Sequence, residues 1–242
     1  MEVHHAHHPE HKKSWSAYLL EFFMLFLAVF LGFIAENIRE NKVEHRRGVE
    51  YIHSFVEDLQ KDTAQYTYLI ADLKAQDAAT DNLYNCYDTI IHNATSTDCL
   101  NEIVVNSMSF ADFIYTDRTM QQLKNAGGLR LIHDKDAVDS IITYDAFVRA
   151  ELIHQEVLET YQQKSIDANK AFISFHALQG LYPRSRGLRP HIELLATNKE
   201  AIDQYFNSMY VFKSNLKSQV IKMLQLKARA IRLIDFLQSR YK

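Results

Sequence analysis

An all-α fold, in which one N-terminal transmembrane helix continues into an elongated antiparallel helical bundle, is what this sequence predicts. Three observations carry the prediction. Glycine and proline are scarce, at 6 and 3 of 242 residues, well below the roughly 7% and 5% of ordinary proteins, so turns are few and helices long. Near the start, "EFFMLFLAVFLGFIAE" (Glu21–Glu36) holds fourteen uncharged residues between two glutamates. Beyond it, apolar residues recur every three or four positions over long stretches, with breaks only near 93–101, 126–134 and 180–197.

Residues 1–14 form a polar tail carrying His4, His5, His7, His8 and His11. Imidazoles at that density bind Zn²⁺, Ni²⁺ or Cu²⁺ weakly, and a solvated tail is the default reading. Residues 15–38 are the transmembrane helix. A span needs about 20 mainly apolar residues, and Trp15 and Tyr18 supply interfacial anchors. A cleaved signal peptide fits less well, because "FIAEN" is a poor small-x-small site.

The two glutamates make sense around the helix. At 100° per residue, Ala17, Met24, Leu25, Ala28, Gly32, Ala35 and Glu36 fall within about 60° of Glu21. Phenylalanines 22, 23, 26, 30 and 33 occupy the other side. Ala28 and Gly32 are a small-xxx-small pair, the spacing at which helix backbones approach closely in membranes. Ionisable groups in a span usually face protein or water, although both glutamates sit near enough to an interface to snorkel. This face is therefore the predicted contact with another membrane helix.

Residues 39–242 are the extramembrane bundle. Ile52, Phe55, Val56, Leu59, Tyr66, Leu69, Ile70, Leu73, Leu83, Tyr87 and Ile90 continue one seam, weakened at Thr63, Asp77 and Thr80 where a kink could form. "HNATSTDCLN" (His92–Asn101) is a loop. The stretch after it reads as one or two short helices, with Asp117 an N-cap and "NAGG" a stop whose Gly127 and Gly128 form a hinge. Long helices follow from about Asp134 to Gln179 and from about Asn198 to Arg240. In the last, Leu224 and Ile231 are assigned to the apolar stripe together with Met223, Ile234 and Leu237. Cys86 and Cys99 are too few to define a disulfide framework. They read first as free buried thiols and second as one staple across the loop.

The stretches "MEVHHAHH" (Met1–His8), "YLLEFFMLFLAVFLGFIAENIRE" (Tyr18–Glu40) and "QQLKNAGGLRLIHDKDAVDSIITYD" (Gln121–Asp145) resemble a family of single-span, helical membrane-anchored proteins common in Bacteroidota. The resemblance implies an anchor followed by a helical domain, and it implies no activity.

The chemistry-bearing patterns are thin. Glu50–His53 and Glu151–His154 have the Glu-x-x-His spacing of di-iron bundles, but the seam through Ile52, Phe55 and Val56 turns Glu50 outward. "NAGGLRL" lacks the lysine-serine pair of a phosphate loop. With no catalytic motif, the chain reads as a non-enzyme without cofactors. A net charge of −3 without a basic face argues against nucleic acid. Arg46 and Arg47 past the span, and Arg184, Arg186 and Arg189 in the proline-bounded loop, are candidate contacts with membrane lipid or a partner. They would share one surface if the long central helix returns toward the membrane.

The expected protein is a membrane-anchored scaffold or accessory subunit of the bacterial inner membrane. It forms a homo-oligomer or joins a membrane protein complex, with its bundle in the periplasm. A ligand-binding sensor acting through a partner, or an ion-conducting oligomer using Glu21, are the alternatives.

Overall fold

The computed structural model describes residues 14–174, 176–177 and 191–241. The histidine tail and Arg184, Arg186 and Arg189 lie outside the described residues. Among the described residues, six helices carry the fold: α1 (Trp15–Ala79), α2 (Leu83–His92), α3 (Leu100–Ser107), α4 (Arg118–Asn125), α5 (Lys135–Phe172) and α6 (Lys199–Arg240). A 3₁₀ turn, Gly128–Leu131, joins α4 to α5.

α1 is 65 residues long, about 98 Å at 1.5 Å per residue. Its first buried residue is Gly48, so the bundle begins there and the apolar arm projects from its base. α6 packs along both α1 and α5. Opposite α6, the chain from α3 to the 3₁₀ turn fills the space between α1 and α5. Arg240 Nη1 donates to Asp134 Oδ2 (2.7 Å) at the base, and Tyr205 Oη donates to Asn169 Oδ1 (3.1 Å) at the distal end. Of the three long helices, α1 and α5 therefore run the same way, away from the base, and α6 runs back. That overturns the idea of a central helix returning to the membrane. The segment beyond α5 leaves from the distal end, where Ser174 N donates to Glu193 O and Leu195 N to Phe172 O (both 2.9 Å).

Two helix ends differ from the sequence expectation. The first helix stops at Ala79 and restarts at Leu83 instead of running to Ile90. The cause is polar competition at the weak seam positions: Thr80 Oγ1 donates to Asp77 O (2.7 Å), and Lys213 Nζ of α6 donates to Asp77 O (3.1 Å) and Asp81 Oδ1 (2.7 Å). α5 ends at Phe172, short of Gln179, because Ile173 turns extended and pairs with Leu194. Asp134 and Asn198, where the sequence reading starts its two long helices, act as N-caps, Asp134 accepting from the Asp136 N–H and Asn198 from the Ala201 N–H (both 2.9 Å). Asp117 sits at its cap position but receives only the Gln121 side chain.

Cys86 and Cys99 are joined in a disulfide, with Cα atoms 5.6 Å apart. The free-thiol reading was wrong. The loop brings α3 back against α2, and Cys86 is fully buried among Leu83, Ile90, Leu100 and Ile103 of the distal core.

Residues 109–117 are irregular, neither helix nor strand, where the sequence predicts helix. Buried backbone outside helices needs partners, and helix side chains provide them. Gln65 both donates to Ile114 O (2.9 Å) and accepts from Ile114 N (3.3 Å). Phe113 N donates to Gln155 Oε1, and Thr116 N to Asp62 Oδ1 (both 3.0 Å). Gln162 reaches Ser109 O.

Gly48, inside α1, is required. A Cβ there would lie 2.3 Å from Leu131 O, so the 3₁₀ turn packs on α1 backbone to backbone. Gly127 takes φ +65°, the left-handed conformation that favours glycine, while a Cβ on buried Gly128 would press Leu123 and Tyr51 at 3.2 Å. Gly127 is thus an exposed left-handed turn, and Gly128 is packed against α1 and α4.

Candidate functional site

The predicted contact face lies on the first six turns of α1. No residue of its 18-residue apolar window is buried against the rest of the chain. Helix geometry brings Glu21, Leu25, Ala28, Gly32, Ala35 and Glu36 together on one exposed stripe, with Ala17 partly covered. Trp15 and Tyr18 are exposed at its start. Glu36 at its far end is paired with Arg39, whose Nε donates to Glu36 Oε2 (2.9 Å). Among the described residues nothing lies within 4 Å of where a Cβ on Gly32 would be. Glycine costs about 1 kcal/mol relative to alanine in a helix, and no contact among the described residues asks for it.

Arg46 and Arg47 are exposed just past this segment. Of the two Glu-x-x-His pairs, Glu50, His53 and His154 are exposed and Glu151 alone is buried, so they share no inward face. Among the described residues no group of three or more His, Cys, Asp or Glu could hold a metal ion.

Inside the bundle lies a polar cluster that seam-reading did not anticipate. Asp58 and Asp62 of α1 are buried beside the apolar seam. Asp58 accepts from Thr119 N (3.0 Å), Thr119 Oγ1 (2.5 Å) and Arg118 Nη2 (3.1 Å), which fixes the start of α4. Asp62 accepts from Thr116 N and, at 3.4 Å, from Tyr144 Oη. Burial pushes its carboxyl above the usual range, partly offset by these bonds to Thr116 and Tyr144. The hydroxyls of Tyr144 and Tyr66 are 3.2 Å apart, and burial raises both phenols. Asp145, by contrast, is held below its ordinary value: burial pushes it up, but Lys124 (2.5 Å) and Arg149 (3.0 Å) outweigh that.

Glu151 is the outlier. Only 5% of it is exposed, and its Oε1 has no hydrogen-bond partner. Burial pushes its carboxyl up to about 7, against the pull of Lys222 and the Gln219 side chain. A legible signal for this cluster did exist: Asp58 and Asp62 fall in register with Phe55, Leu59 and Tyr66, and an acid at such a position requires a buried partner.

No known protein family, curated protein or solved structure matches the chain.

Proposed function

We propose that this protein is a non-enzymatic, membrane-anchored helical scaffold or accessory subunit. It assembles with copies of itself or within a larger cell-envelope complex through the stripe of α1 that holds Ala28 and Gly32. The observation that supports this most is the bare apolar window of α1, with a glycine that nothing among the described residues explains. Residues 15–38 span about 36 Å as helix, enough for a hydrocarbon core of about 30 Å with some tilt. In lipid, small residues let partner backbones approach, and Phe22, Phe26, Phe30 and Phe33 meet acyl chains on the other side.

The Cys86–Cys99 disulfide favours a bundle in an oxidising compartment. This supports a bundle in the periplasm, with Arg46 and Arg47 near lipid headgroups. Replacing Gly32 with Leu tests the assembly: the complex extracted from native membranes should run smaller on native gels while the bundle keeps its helicity. An unchanged complex size overturns the reading.

A further inference from the structure

We propose that the cleft between α5 and α6 is a binding site for a soluble organic oxyanion, a carboxylate or phosphate carried on an apolar body. The cleft has a volume of about 340 Å³, and its lining includes Ser140, Thr143, Phe147, Arg229, Arg232 and Phe236. Its two arginines stand apart from others on the bundle. Arg118, Arg149 and Arg240 each pair with a carboxylate at 2.7–3.1 Å. Among the described residues neither Arg229 nor Arg232 has a carboxylate within 4.0 Å, although Asp139 is on the cleft wall.

Arg229 is also held in place. Its guanidinium carbon lies 3.7 Å from the centre of the Phe147 ring, an arrangement that orients the planar group and leaves its N–H edges available. Arg232 follows three residues later, so both side chains leave the same side of α6. Ser140 and Thr143 add hydroxyl donors from α5 on the facing wall. Guanidinium N–H groups matched to a planar carboxylate or a phosphate make short, charge-assisted bonds. Phe147 and Phe236, with the Leu233 edge, give the rest of such a ligand an apolar surface. A cleft of this size, with a few polar groups set among apolar ones on its walls, has the form of a small-molecule site.

Position selects the source of the ligand. Phe147 lies twelve residues along α5 from Lys135 at the base, about 18 Å up the bundle. A lipid resident in a bilayer crossed by the apolar arm does not reach that height, so the ligand comes from the aqueous phase. The aqueous source rests on the membrane anchoring proposed for α1, whereas the site itself depends on neither the anchor nor the assembly.

The test is isothermal titration of the full-length protein in detergent with phenyl phosphate, benzoate and inorganic phosphate, alongside flotation with anionic phospholipid vesicles. Saturable binding of phenyl phosphate or benzoate is expected, tighter than inorganic phosphate, weakened by salt, and lowered at least about tenfold in the R229Q/R232Q variant. Both positions are on the outer part of α6, so circular dichroism should report an intact fold. Absence of saturable binding, binding unchanged in that variant, or association with vesicles alone would each overturn the proposal.

Discussion

Replacing Glu151 with Gln should make the protein more stable, and increasingly so as pH rises. Glu151 ionises near 4.5 in the unfolded chain, but burial lifts it to about 7 in the folded one. A raised carboxyl means that the folded state keeps its proton while the unfolded state has lost it. Stability therefore falls as pH climbs from about 4.5 to about 7, and the loss is complete above that. At about 1.36 kcal/mol per pH unit, the shift is worth roughly 3 kcal/mol. Protein interiors screen charge better than a dry medium, so about 2 kcal/mol is the working figure. Glutamine has nearly the same shape and no charge to desolvate. Any penalty for its amide beside the site of the unpaired Oε1 is independent of pH. The gap in Tm between variant and wild type, followed by circular dichroism in detergent, should thus widen by about 4–8 °C from pH 5 to pH 8. A gap that stays flat across that range would refute the buried, proton-holding role of Glu151.

Other outcomes follow from the packing. Gly48→Ala places a Cβ 2.3 Å from Leu131 O, and chemical denaturation should show a loss of about 1–3 kcal/mol as the 3₁₀ turn is pushed off α1. Asp58→Ala strips the partners from Thr119 N–H and its hydroxyl; about 2–4 kcal/mol of stability should go, with faster amide exchange in residues 116–125. The Cys86–Cys99 bridge closes a separation of 13 residues, so reduction, or Cys86→Ser with Cys99→Ser, should cost about 3 kcal/mol, read as a lower Tm.

Much of this architecture is legible in the sequence because it rests on local rules. Few glycines and prolines mean long helices, Asp134 and Asn198 mark helix starts by the chemistry of their side chains, and a bare apolar run with a small-residue stripe follows from spacing alone. Each depends on residues within one or two turns of each other. The face formed by Glu21, Ala28, Gly32 and Glu36 is fully determined in this way, because a single helix fixes which residues share a side.

Contacts between distant segments settled the rest. Seam-reading assigned Leu224 and Ile231 to the core, yet both are about two-fifths exposed, and Leu226, Ala230 and Leu233 fill the interior instead. The apolar residues around α6 allow more than one stripe, and only the positions of α1 and α5 choose among them. Asp62, Gln65, Gln155 and Gln162 hold backbone groups of the irregular chain at 109–117, and Asp58 holds the start of α4, needs that stay invisible until those segments are placed between the helices. Gly48 is required by a carbonyl more than eighty residues later. The pairing of Cys86 with Cys99, the orphaned carboxylate of Glu151, and the meeting of Arg229 with Phe147 have the same origin. They are products of tertiary proximity, which helical periodicity constrains but does not specify.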